Sequence, residues 1–244
     1  MRTLEWPAMP VASSPSEPRL LLFDIDGTLL SSGPRARAAF ASALEDVFGV
    51  PPAVETYAFE GKLDPVIVAE LMGEAGVDAG VVRRDLPRAL AHYLDRLEEA
   101  LASERPRLKP GVEPLLDAVG GARHAVPAVL TGNVERGARL KLSAAGLWQR
   151  FRFGVFGDEA ERREELGAVA LERVRQATGR AFAGAECVVV GDSRQDVACG
   201  KAIGARVVSV ATGRTAPEAL RAAGADVVLR DFSDLEAAVK AILG

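Results

Sequence analysis

The chain alternates short apolar runs with longer stretches in which apolar residues recur at helical spacing. The runs at residues 20–23, 126–130, 153–156, 187–190, 207–210 and 226–229 show no in/out alternation. Continuous apolar character over such lengths predicts parallel strands covered on both faces. Helices are predicted over residues 134–145, 164–178, 195–203 and 217–223, followed by Gly146, Gly179, Gly204 and Gly224 where a chain commonly leaves a helix. From residue 126 onwards strand and helix alternate. That rhythm predicts an α/β fold with a doubly wound, mostly parallel sheet.

Residues 34–108 break the rhythm: they are rich in Ala, Leu, Glu and Arg and contain no strand-like run. Helices are predicted there over residues 34–48, 64–75 and 81–103. A small helical cap inserted after the first strand is expected, with the chain returning to the core at Lys109-Pro110-Gly111. The layout is then a core of residues 19–33 and 109–244, a cap of 34–108, and a leading tail of 1–18. The tail carries Pro7, Pro10, Pro15 and Pro18 among serines and no apolar segment, so it reads as flexible and not as a signal peptide.

Composition narrows the classes without naming one. With 244 residues, 48% of them hydrophobic and 26% charged, the chain can bury a core without disulfides or a structural metal. A net charge of −4 speaks against a nucleic-acid partner, while leaving small anions open as ligands of a local site. Cys187 and Cys199 are expected as buried thiols. No apolar run approaches the ~18 residues of a membrane span, so no membrane partner and a cytoplasmic location are expected.

The candidate chemistry lies at the ends of the predicted strands, where open parallel sheets place their ligands. The first run ends in Asp24-Ile25-Asp26-Gly27-Thr28. Two acids so close repel each other, and a divalent cation relieves that repulsion; oxygen donors of this kind suit Mg²⁺. A second tip reads Thr131-Gly132-Asn133, a hydroxyl, a glycine and an amide at a helix start, which suits either a phosphate cradle or a plain cap. A third reads Gly191-Asp192-Ser193-Arg194-Gln195-Asp196, with Asp196 one helical turn beyond Asp192. Arg162 and Arg163, after the run at 153–156, both offer a cation for the charge that develops in phosphoryl transfer.

In this order these segments resemble the haloacid dehalogenase superfamily, in its subgroup with a helical cap between the first and second motifs. The first motif matches at Asp24, Asp26, Gly27 and Thr28, the second at Thr131, Gly132 and Asn133, and the fourth at Gly191, Asp192, Ser193 and Asp196. At the third, many relatives carry a lysine followed by proline, whereas this chain has Gly157-Asp158-Glu159-Ala160 followed by the arginine pair; spacing favours Arg163. The Gly61-Lys62-Leu63-Asp64-Pro65 segment is similar to phosphoglycolate phosphatase-like enzymes.

The resemblance implies a Rossmann-like core and a phosphatase acting on a small phosphorylated metabolite. It implies Asp24 as nucleophile, Asp26 as acid and base, and Mg²⁺ held by Asp24, Asp192 and the Asp26 carbonyl. It implies Thr131, Gly132, Asn133 and Arg163 around the phosphate, with Asp196 behind them. Dehalogenases of the superfamily generally lack the second acid of the first motif, because a departing halide needs no proton, so Asp26 favours phosphoryl transfer. A phosphomutase, a phosphonatase using Lys62 as an imine, and a receiver-like signalling domain remain as alternatives.

Overall fold

The computed structural model describes residues 18–244. The tail expected over residues 1–18 therefore lies, except for Pro18, outside the described residues.

Six strands form a parallel sheet: β1 (Arg19–Phe23), β4 (Ala125–Leu130), β5 (Gly154–Val155), β6 (Cys187–Gly191), β7 (Arg206–Val210) and β8 (Val227–Leu229). Their order is β5-β4-β1-β6-β7-β8. Every pairing is parallel, with Leu22 opposite Ala128 on one side and Val189 on the other. The apolar runs are explained by coverage on both faces. Leu21 and Phe23 of β1 join Val188 and Val190 of β6 in one cluster, while Leu20, Leu22, Cys187 and Val189 join another. Helices α4 (Val112–Gly121) and α9 (Leu235–Leu243) bury Leu115, Leu116 and Ile242 on the first face. Helices α6 (Leu166–Thr178) and α7 (Arg194–Ala202) bury Leu166, Ala170, Val174 and Cys199 on the second. Helices α5 (Glu135–Ala144) and α8 (Pro217–Ala223) complete the alternation. The sheet is the doubly wound one expected, and both cysteines are buried.

Between β1 and α4 lie three helices, α1 (Gly33–Phe48), α2 (Asp64–Glu74) and α3 (Ala79–Ser103). They share a core of their own, centred on Phe40, Leu44, Val68, Leu71, Tyr93 and Leu97. Pro34 and Pro65 stand in the first turns of α1 and α2, where no intrahelical N–H is lost, and the Asp78 carboxylate caps α3 through Gly80 N and Val81 N. The helices enter and leave through a two-stranded antiparallel ribbon of β2 (Leu30–Ser31) and β3 (Arg107–Leu108).

Four details differ from the sequence reading. A strand, β3, closes residues 34–108, where none was expected. The run at 153–156 contributes only the two paired residues of β5, because this edge strand meets β4 solely at Val129 and Leu130. Helices α4 and α9 were not anticipated. The helix expected from residue 164 opens as a 3₁₀ turn over Arg163–Glu165 before α6 begins. Among the described residues, no helix is long and apolar enough to cross a membrane.

Candidate active site

The connection leaving β1 for β4 runs to one side of the sheet, whereas β6 lies on the other, so the crevice opens beyond the carboxyl end of β1. Asp24 follows β1 directly, Thr131 follows β4 and Asp192 follows β6. Strand register sets them side by side: Asp24 N donates to Val190 O at 2.9 Å and Thr131 N to Val155 O at 3.1 Å. All three line one cavity of about 340 Å³, together with Asp26, Gly132, Asn133 and Arg163. Phe40, Ile67 and Tyr93 of the helical insertion face them across it.

Asp24, Asp192 and Asp196 bring carboxylate oxygens within 4.8 Å of one another. They differ in what the protein already asks of them. Both oxygens of Asp196 are engaged: Oδ2 accepts from Ser193 N at 3.1 Å and Ser193 Oγ at 2.6 Å, and Oδ1 accepts from Arg163. Asp24 Oδ1 accepts from Arg163 Nη2 at 3.0 Å and Asp192 Oδ1 from Thr28 Oγ1 at 2.9 Å. Among the described residues their Oδ2 atoms accept no hydrogen bond. Burial pushes the Asp24 carboxyl up to about 7, with repulsion from Asp196 adding to it against the attraction of Arg163. Burial likewise raises Asp192 well above the carboxylate range, with Asp24 and Asp196 reinforcing it. Buried acids in this state fit a small divalent cation with oxygen preference.

The close packing of this floor depends on Gly27. Its φ of +88° is costly for a side chain, and a Cβ there would run into the Asp192 carboxylate. Thr131 Oγ1 accepts from Asn133 N at 3.3 Å and from Asn133 Nδ2 at 2.8 Å, which leaves its own O–H free to donate into the cavity.

Asp26 turns away from the acidic cluster. Ser32 Oγ donates to its Oδ1 at 2.8 Å, while Asn133 Nδ2 at 2.9 Å and Lys141 Nζ at 2.6 Å donate to Oδ2. Burial opposes its ionisation, but the Lys141 charge and these hydrogen bonds outweigh it and hold the carboxyl below its usual range.

The arginine pair is resolved by position. Arg163 is buried and reaches Asp24, Asp196 and the Leu130 carbonyl, the last at 3.2 Å. Arg162 points to solvent and pairs with Glu165 at 2.9 Å. Lys62 lines the cavity, yet its amine donates to Tyr57 Oη at 3.1 Å and to Glu70 and lies 4.3 Å above the Tyr57 ring.

The sequence reading missed Lys141, Ser32, Tyr93 and Asp64. Lys141 carried a signal: it stands with Gly137, Ala138 and Leu142 on the buried stripe of α5, where a lysine is out of place. Asp64 opens α2 and bridges insertion and core: its N–H donates to Gly132 O at 2.8 Å and its Oδ2 accepts from Val134 N at 2.9 Å.

The family model of haloacid dehalogenase-like hydrolases matches residues 18–204. The chain belongs to that family. Among curated relatives, phosphoglycolate phosphatase 1 of Pseudomonas aeruginosa is 28% identical over 89% of this chain and 78% of its own length. The phosphoglycolate phosphatase of Xanthomonas campestris is 30% identical over 80% of this chain and 84% of its own. Two solved structures share the fold: a hydrolase from Pseudomonas syringae, with TM-score 0.67 and 21% identity over 91% of this chain and 98% of that one, and CbbY from Rhodobacter sphaeroides in complex with phosphate, with TM-score 0.64 and 20% identity over 91% and 99%. The chain is thus an enzyme of the hydrolase class expected from its motifs, and the curated relatives it matches are named phosphatases.

Proposed function

We propose that the chain hydrolyses a small phosphate monoester, of the phosphoglycolate kind carried in the relatives' names, through an aspartyl-phosphate on Asp24. The observation that carries this reading is the pairing at the end of β1: a buried carboxylate with one oxygen free, backed by an equally buried arginine. Residues 34–108 are read as the cap that selects the substrate, and residues 19–33 and 109–244 as the core that performs the chemistry.

Asp24 Oδ2 attacks phosphorus as the P–O bond to the leaving alcohol breaks. The Thr131 hydroxyl, the backbone at Gly132 and Asn133, and Arg163 take up the charge on the phosphoryl oxygens. Asp26, held as the carboxylate, takes a proton from the monoanionic ester and gives it to the departing alkoxide, then takes one from the water that cleaves the acyl phosphate and returns it to the phosphate released, so ester and water become alcohol and phosphate. Asp24, Asp192 and the backbone carbonyl of Asp26 would hold Mg²⁺, which when bound offsets phosphate charge, while Asp196 stays behind to anchor Arg163 and cap α7. The Lys62 amine, committed to Glu70 and Tyr57, supports hydrolysis over an imine mechanism.

A panel of phosphate esters with Mg²⁺ tests the reading. Phosphate release is expected from small carboxylated or alkyl esters, and Asp24→Asn should lower kcat by several orders of magnitude with the fold intact. Retention of more than about a tenth of kcat in Asp24→Asn would remove Asp24 as nucleophile.

A further inference from the structure

Lys141 occupies a junction for which this mechanism has no use. Its side chain is 8% exposed, and its Nζ donates to Asp26 Oδ2 at 2.6 Å and to Asn133 Oδ1 at 2.5 Å. The Asn133 amide nitrogen closes the ring by donating to the same Asp26 oxygen at 2.9 Å, and it also donates to Thr131 Oγ1 at 2.8 Å. One ammonium thereby locks the proposed acid–base carboxylate to the proposed phosphate cradle. Burying an ammonium is costly, and a leucine in this stripe of α5 would pack without that cost. The other ionisable groups around Lys141 are Tyr93 from α3 and Asp64 from α2, so the charge is held from the cap as well as the core.

Geometry also sets what Lys141 does to Asn133. An amide fixed through Oδ1 by an ammonium cannot turn over, because its NH₂ would then face the same cation. With Lys141 removed, Asn133 keeps its donor on Asp26 but loses the partner of its Oδ1, so the amide and the carboxylate are held to each other on one side only.

We propose that Lys141 is a positioning residue that fixes Asp26 and Asn133 as one unit, aligning the carboxylate with the leaving oxygen of a phosphate bound at Thr131. The inference rests on the phosphatase reading above. Lys141 acts through Asp26, so its loss is felt most where the leaving group is a poor one.

The test uses Lys141→Met and Lys141→Arg in the full chain, with an alkyl phosphate and 4-nitrophenyl phosphate as substrates and inorganic phosphate as inhibitor. Lys141→Met should lose about 10²-fold in kcat on the alkyl ester, the scale of a misplaced acid–base group. The loss should be at least fivefold smaller on the aryl ester, with KM and phosphate inhibition within about threefold of wild type. Lys141→Arg should recover a tenth or more of the lost rate, and Asp26→Ala with Lys141→Met should be no slower than Asp26→Ala alone. Equal losses on both esters, additive losses in the double variant, or phosphate inhibition weakened in step with kcat would overturn the proposal; the last would make Lys141 a phosphate ligand instead. Should Lys141→Met fail to fold, Lys141→Gln with the same comparison decides. Absence of Asp24-dependent phosphate release in wild type would overturn the phosphatase reading itself. An active wild type, an inactive Asp24→Asn and an unchanged Lys141→Met would overturn only the role of Lys141.

Discussion

Arg162 and Arg163 are identical in type and adjacent in sequence, yet the fold gives them opposite fates. Arg162 is extended, with φ −131°, before the 3₁₀ turn, and its side chain is 72% exposed. Arg163 opens the turn and points inward between Asp24 and Asp196. Replacing a buried arginine leaves two buried carboxylates without their cation, and the charge on a phosphoryl group without a donor. Arg163→Ala should therefore lose on the order of 2–4 kcal/mol in kcat/KM, and Arg162→Ala less than about 0.5 kcal/mol, by steady-state kinetics. The reverse order would move the phosphate role to Arg162.

At the scale of elements, the strand tips deliver the site and the helix starts refine it. Helix α7 begins with a reciprocal cap in which Ser193 Oγ accepts from Asp196 N at 3.2 Å and donates back to the carboxylate, so one device starts the helix and orients the Arg163 anchor. Helices α2 and α5 are stapled through Asp64, whose carboxyl burial pushes up to about 6. An acid with a raised native pKa favours its protonated form in the fold, so the penalty is absent below about pH 4, grows between pH 4 and 6, and is complete above that. Asp64→Asn keeps an acceptor for Val134 N and removes the charge. It should be more stable than wild type at pH 8 by roughly 1–3 kcal/mol in urea unfolding, the gain disappearing near pH 4. A gain independent of pH, or a loss at pH 8, would reject this account of the staple.

At the scale of the molecule, three buried acids at the strand ends, Asp24, Asp192 and Asp196, cluster around one buried cation, Arg163, while Lys141 is taken up by Asp26. That excess of negative charge, in a chain of net charge −4, favours a divalent cation over an additional anion until the metal is in place. Chelation should abolish phosphate release and Mg²⁺ restore it, with Ca²⁺ a poor substitute because its shell is larger and looser. Binding should also raise the melting temperature, by the equivalent of about 2.7 kcal/mol at a hundredfold excess over Kd. The increase should be much reduced in Asp192→Asn; full activity after exhaustive chelation would reject the metal altogether.

Much of this protein could be read from the chain alone. Strands covered on both faces need unbroken apolar runs, so β1, β4 and β6 were plain in the sequence, and the acids and hydroxyl at their ends came with them. The helical insertion was equally legible, because its residues show helical spacing and no such run. Some elements were not: β5 has only two paired residues, α4 carries Pro114 in its first turn and Gly120-Gly121 in its last, which mask a helical pattern, and α9 went unread although α7 is equally short. Contacts between distant segments were invisible for a stricter reason, since a side chain's neighbours across the fold leave no trace in local spacing. The choice between Arg162 and Arg163, the turning of Asp26 away from Asp24 towards Asn133, and the arrival of Lys141 from α5 beside it all join residues separated by up to 139 positions. The chain alone determined which groups stand at the strand ends, because strand burial dictates that locally; only tertiary packing decided which charges face each other, because desolvation and pairing exist only once those segments meet.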